Sequence, residues 1–328
     1  MRSGFGPYER ALLCVLSAVC AAIALANPSF LSPENIADLL SAATVLGLFA
    51  LGEFLVMLAG GIDISFTAIG ACSLYVTAKI FASVAPDAPL WLPPAVALGI
   101  GTILGLLNAL FVVSLNLPAL IVTLGTAGLF HGLLLTFVGT RMITDLPACL
   151  TFPATYRLIE FSTAGGQRVG LPLFVLSFPL CALAAHIFLQ RTLLGRGVYA
   201  FGGNAEAARR VGFPVARIQF LVYALLGSLS GAAGMIHAAR MRNANPFDLV
   251  GSELDVIAAV VLGGASITGG RGSVPGLLCG VGLFVVVTRS LILLGVPSSW
   301  QRVVVGGILV ASAAATGVLK GGRSNGGQ

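Results

Sequence analysis

The 328-residue chain is 57% hydrophobic, carries charge on only 9% of its residues and has a mean hydropathy of +0.99. So little polar surface excludes a water-soluble domain. Repeated apolar runs of about 20 residues, the length a helix rising ~1.5 Å per residue needs to cross ~30 Å of hydrocarbon, point instead to a polytopic membrane protein. The net charge of +6 is not a nucleic-acid footprint, because the basic residues, nearly all Arg, gather in connections between apolar runs rather than along one face.

Arg2 and Arg10 precede a first apolar run from Ala11 to Ala26. Its Ala24-Leu25-Ala26 ending resembles a cleavage site, but the apolar stretch continues through Phe30 and Leu31, which fits an uncleaved signal-anchor helix. A second span, Ile36 to about Leu58, stops at Gly60-Gly61-Ile62-Asp63-Ile64-Ser65. Two glycines and an acid deep in an apolar region mark a broken helix, and an ionised Asp at membrane depth needs protein, water or a partner around it. Asp63 is read as the cap of the next helix within a tight cytosolic turn, and the break as part of a transport path.

The third and fourth spans are placed at Ile64 to Val84 and Pro93 to Ser114, with Lys79 near an end and Asn108 inside. Asn108 suits pairing with a neighbouring helix or lining a pore. The fifth span opens at Leu117-Pro118, and its Thr123, Gly125, Thr126 and Gly128 suit close packing as readily as a sugar-sized path. His131 stands alone and reads as a satisfied core residue, not a ligand. Thr140 to Gly170 is the longest polar stretch and is expected to form an outer loop.

After a sixth span, Leu171 to Leu189, comes the stretch from Arg191 to Arg217, which holds five arginines. Within it Asn204 can cap free N–H groups, Glu206 sits in the first turn and Arg209 and Arg210 near the end, as the helix dipole favours. Gly212 supplies a left-handed stop and Pro214 forbids resumption. A two-turn polar helix between apolar runs suits docking by a soluble partner. The seventh span, Ile218 to about Ala238, is rich in Gly and Ser, which marks tight packing in lipid.

Residues 262 to 276 contain six glycines and cannot form a plain helix; without Gly-Lys-Ser/Thr they are not a phosphate loop either. The ninth span, Val274 to Leu294, contains Arg289, and a tenth runs from about Val303 to Val318. The stretch at 59 to 65 is similar to that at 262 to 268, and both fall on one side of the membrane in this count. The six cysteines show no CxxC spacing; no metal and no cofactor is expected. The fold expected is all-α, a polytopic transmembrane helix bundle of about ten spans with short or broken helices near residues 60 and 270. With the N-terminus inside, ten basic residues of the connections face the cytosol against about half as many outside, so both termini and the polar helix are expected to be cytosolic.

Three stretches, GGIDIS at 60 to 65, LPALIVTLGTAGLFHG at 117 to 132 and GRGVYAFGGNAEAARRVGFPVARIQFLVYALLG at 195 to 227, together with ELDVIAAVVLGGASITGGRGSVPG at 253 to 276, resemble the permeases of ribose-type ABC importers, relatives of the branched-chain amino-acid permeases. The resemblance spans nearly the whole chain. It implies one permease domain over 1–328, with a cytosolic coupling loop at 191–217 and an extracytoplasmic loop at 140–170, in the bacterial cytoplasmic (inner) membrane. It further implies a cytosolic ATP-binding-cassette ATPase, a second permease copy or sister permease, an extracytoplasmic sugar-binding protein and a monosaccharide as solute, and no catalytic group in the chain itself. Carried over, the element pushed by the ATPase is Asn204, Glu206, Ala207, Arg209, Arg210 and Gly212. Asp63, Ser65, Asn108, Thr123 and Thr126 are the candidates for the substrate path. Two departures, Phe66-Thr67 in place of a nearby Gly and Arg289 in place of an uncharged Asn, bear on which sugar is carried. The rivals are an ion-coupled sugar carrier, an importer of a sugar-like signalling molecule, and an intramembrane enzyme using His131 or Asp63.

Overall fold

The computed structural model describes residues 6–162 and 168–297, with a few single positions up to 310. Twelve α-helices account for most of these: α1 Pro7–Ala26, α2 Pro33–Leu58, α3 Phe66–Ser83, α4 Leu92–Ser114, α5 Ala119–Leu133, α6 Ala148–Thr155, α7 Ser177–Arg191, α8 Leu193–Gly203, α9 Ala205–Arg210, α10 Val215–Met241, α11 Glu253–Leu262 and α12 Val274–Leu293. The protein is an all-α polytopic bundle, and eight of its helical stretches are long and apolar enough to cross a membrane. Helix α11, at ten residues, is only about 15 Å long, half a span. The tenth expected span, Val303 to Val318, falls almost wholly outside the described residues.

Helix α10 is the centre of the bundle, with α2, α3 and α4 packed around it. Missing side chains allow the close approach. A Cβ on Gly101 of α4 would lie 2.1 Å from the Gly227 carbonyl of α10, one on Gly105 2.2 Å from that of Tyr223, and one on Gly234 of α10 2.2 Å from that of Gly70 on α3. In lipid, where apolar side chains gain little by leaving their surroundings, such backbone contact is a main source of association.

The stretch from Thr140 to Gly170 has structure of its own. It contains α6 and the first strand of an antiparallel hairpin, β1 Arg157–Ser162 with β2 Arg168–Pro172. An isolated bridge between Ile143 and Ala244, and the Pro246 carbonyl accepting from His131 Nε2 at 3.2 Å, tie this end to the segment that follows α10. Arg240 reaches Asp38 at the same end, at 2.5 Å. At the opposite end, Tyr8 Oη donates to the Leu262 carbonyl and Ser273 Oγ to Glu9, so the start of α1 meets the end of α11 and the start of α12. Arg191, Arg196, Arg209, Arg210 and Arg217 belong to this second end, and Arg141, Arg157, Arg240 and Arg242 to the first.

Candidate functional site

The stretch from Arg191 to Arg217 is more ordered than a loop with one polar helix. Thr192 caps α8 by accepting from Gly195 N–H at 2.9 Å, and Asn204 both ends α8 and caps α9, accepting from Ala207 N–H at 2.9 Å. Glu206 pairs with Arg210 one turn on, both side chains about three-quarters exposed. The end of α9 is closed by Gly212 N–H to Arg209 O and Phe213 N–H to Ala208 O, with Gly212 at φ +91°. That double bond pattern needs a left-handed residue, which Gly takes without a Cβ clash. Ala208 alone on α9 is buried; Asn204, Glu206, Ala207, Arg209, Arg210, Val211 and Gly212 all face out. Val211, an apolar side chain 78% exposed among these charges, is part of this surface and was not singled out from the sequence.

Helix α8 joins that surface to the bundle. A Cβ on Gly202 would lie 1.8 Å from the Leu58 carbonyl at the end of α2 and 2.7 Å from Gly270 N. The Leu58 carbonyl itself accepts from Gly270 N–H at 2.9 Å. Tyr199 of α8 donates to the Gly272 carbonyl at 3.0 Å, and burial pushes its phenol up to about 12, so it stays a donor at ordinary pH. Three chain breaks therefore meet: the one after α2, the one after α8 and the glycine-rich loop after α11. A cleft of about 950 Å³ opens beside them, lined by Tyr8, Glu9, Gly203 and the 263–273 loop.

The two similar stretches, at 59 to 65 and 262 to 268, end their helices in the same way. Gly60 and Gly264 take the left-handed position at φ +82° and +87°, and the pairs of bonds Gly60 to Met57, Gly61 to Val56 and Gly264 to Val261, Ala265 to Val260 match. The structural equivalence is Gly60 with Gly264, one residue off the match read from the sequence. Both lie at one end of the bundle and touch, as the span count requires.

The substrate-path candidates come together, from three different parts of the chain. Asp63 Oδ1 accepts from Ser65 N–H at 2.6 Å and Ser65 Oγ–H at 2.7 Å, while Asn108 Nδ2 of α4 donates to Asp63 Oδ2 at 3.1 Å and to Ser65 Oγ at 2.6 Å. Thr123 Oγ1 of α5 accepts from Ile64 N–H at 3.3 Å, and Thr126 Oγ1 donates to the Thr123 carbonyl. Asp63 does organise the start of α3, yet from two residues ahead of its cap, and it is fully buried, which corrects the expectation of a tight turn at the surface. Asn108 is the glue that the sequence allowed.

Reading the sequence missed Glu53. It sits within the long apolar run of α2, is 0% exposed, and accepts from Asp63 N–H at 3.2 Å. A lone Glu in an apolar run was the available signal. Glu253, also not singled out from the sequence, receives the Thr67 hydroxyl of α3 and Gly251 N–H at 3.0 Å, bracing the start of the half-length α11. Arg289 is half-buried on α12, with Asp38 and Arg240 in its surroundings. His131, the suggested lone core residue, is held by the Pro246 carbonyl and an edge-on Phe247 ring. Among the described residues no cluster of three or more His, Cys, Asp or Glu side chains is placed to hold a metal.

Helical breaks that meet inside a membrane bundle, beside an exposed capped helix, define a multi-pass transport protein rather than a channel of continuous helices. A family model described as the permease component of the branched-chain amino acid transport system matches residues 35–313, and the chain belongs to that family. It is 38% identical over 292 residues to the ribose import permease protein RbsC of Bacillus subtilis, covering 88% of this chain and 86% of that one. It is 33% identical over 313 residues to the autoinducer 2 import system permease protein LsrC of Enterobacter sp., covering 94% and 86%. With the L-arabinose ABC transporter permease protein AraH of Azospirillum brasilense it shares 32% over 305 residues, covering 91% and 84%. No solved structure matches the chain significantly.

Proposed function

We propose that the chain is the non-catalytic pore subunit of an ATP-driven importer that carries a monosaccharide of the ribose or arabinose type across the bacterial cytoplasmic membrane. The observation that carries the reading is the exposed, doubly capped α9, joined through α8 to the carbonyl that ends α2. A force applied to α9 would reach the broken helices directly, because packed backbone contacts shift between discrete arrangements rather than stretch. Residues 191–217 are then the cytosolic coupling segment, 140–170 the extracytoplasmic segment, and both termini cytosolic. The partners on this reading are a cytosolic ATPase on α9, a second permease and an extracytoplasmic sugar-binding protein. Asp63, Ser65, Asn108, Thr123 and Thr126 belong to the path only in a conformation that uncovers them, since all five are closed off in this one.

The test is co-purification of ATPase activity with the full-length chain, wild type against an Arg209→Glu, Val211→Glu double variant. Both side chains are exposed and neither is tied into the fold. An ATPase that accompanies the wild type and is lost from the variant supports the reading. No associated ATPase in either case overturns it. The buried Glu53 and Asp63 favour a second reading, an ion-coupled carrier, in which a protonophore abolishes uptake while cellular ATP is held up. A third, a sugar-like signalling molecule as cargo, rests on the resemblance to the autoinducer 2 permease and is decided by competition between ribose and such a molecule for uptake.

A further inference from the structure

Inside the bundle the Glu53 carboxylate lies against the Asp63 backbone, close enough for the two acids to interact, and their hydrogen bonds do not balance. Asp63 receives three donors, Ser65 N–H, Ser65 Oγ–H and Asn108 Nδ2. Glu53 receives one, the Asp63 N–H, shared between its two oxygens at 3.2 and 3.4 Å. The Asn108 carbonyl oxygen, on the same amide that donates to Asp63, is buried with no partner at all. Glu53, Asp63 and Asn108 are each 0% exposed.

Among the described residues no basic side chain pairs with Glu53 or Asp63; the ion pairs of Arg210, His237 and Arg240 lie elsewhere. The titratable groups facing the spot are Glu53 on α2, Asp63 in the break and Tyr223 on α10. The other packed elements bring only Ser65 ahead of α3, Asn108 on α4 and Thr123 on α5, none of which titrates. Two buried negative charges with spare acceptors and no counter-charge are the costliest arrangement that a bundle can hold.

We propose that Glu53, Asp63 and Asn108 form a binding site for one monovalent cation, a proton or Na⁺, that neutralises the α2–α3 break. The shortage of donors at Glu53 and the orphaned Asn108 oxygen both point to a positively charged occupant. The site is joined to the rest of the transport machinery: Leu58, whose carbonyl carries Gly270 and seats Gly202, is five residues on from Glu53 along α2. Occupancy therefore sets the geometry of the helix end against which α8 packs. The site needs neither the ATPase nor the solute, so it stands or falls apart from the transport reading.

The experiment is the melting temperature of the purified full-length chain in lipid nanodiscs between about pH 5 and pH 9, in Na⁺ or in N-methylglucamine as the only cation. A folded state that holds a cation which the unfolded chain releases binds more of it, so wild-type stability falls as pH rises in N-methylglucamine, by up to about tenfold in the folded-to-unfolded ratio per pH unit. Glu53→Gln removes one charge with little change of shape; its profile is flat, and at high pH it melts no lower than wild type. Restoration of wild type by Na⁺ at high pH identifies sodium, and indifference to Na⁺ identifies the proton. If Glu53→Gln fails to fold, Glu53→Met takes its place in the same comparison. Identical pH and Na⁺ profiles for wild type and the charge-removing variant would overturn the proposal.

Discussion

Helices α5 and α10 carry the same kind of sequence, small residues recurring through an apolar run, and the structure uses them oppositely. In α10 the glycines meet backbone: Gly227 touches Gly101 and Gly105 of α4, and Gly234 touches Gly70 of α3. In α5, Gly125, Gly128 and Gly132 have nothing within 4 Å of where a Cβ would stand, while Thr123 and Thr126, on the same helix, are buried. A small-residue pattern therefore permits close approach without requiring it. What decides is whether a second helix is present on that face.

The sharpest way to break the contrast is Gly227→Leu. The added side chain would meet the Gly101 carbonyl, a rigid backbone atom, so the expected cost is about 3 kcal/mol or more, with loss of monodisperse protein in size-exclusion chromatography. Gly202→Ala comes next: its Cβ would lie 1.8 Å from the Leu58 carbonyl, so α8 must part from α2. The bundle around α10 is untouched, so the chain still folds, with a loss of roughly 1–3 kcal/mol in thermal stability and a several-fold fall in solute uptake. Asn204→Ala removes one capping bond on an exposed helix and costs ~1 kcal/mol of local order, visible as faster amide exchange across α9 with an unchanged melting temperature. At the small end, Gly128→Ala on α5 is neutral or stabilising by up to about 1 kcal/mol, since Ala favours a helix more than Gly and meets nothing. A large loss there would show that another chain covers α5. Tyr199→Phe removes one hydrogen bond of about 1 kcal/mol. Because burial raises this phenol from 10 to about 12, its contribution is complete below pH 10 and fades towards pH 12; a wild-type melting curve that converges on that of Tyr199→Phe in this window checks it.

Much of this was legible residue by residue. Asn204, Glu206, Arg210 and Gly212 act within about two helix turns, so their spacing alone foretold a capped α9 with a left-handed stop, and the bonds are those expected. The break at Gly60-Gly61 and the half-length α11 were readable for the same reason: glycine frequency is a local property. The polar cluster was legible only as a set of candidates. Asp63, Ser65, Asn108 and Thr123 stand up to 60 residues apart, and nothing in periodicity says that α4 and α5 close around the break after α2. Glu53 escaped because a single acid in a long apolar run leaves the hydropathy intact, and its meaning depends on Asp63 lying against it.

By itself the sequence determined the class of the molecule, its spans, its breaks and the polar helix, because hydrophobic length, helix caps and glycine stops act over a few residues of chain. Only the tertiary structure decided which glycines are packed, that three breaks share the Leu58 carbonyl, and that Glu53 closes on the Asp63 backbone with neither acid paired to a base among the described residues. Those are relations between helices distant in sequence, fixed by which backbones can approach to contact.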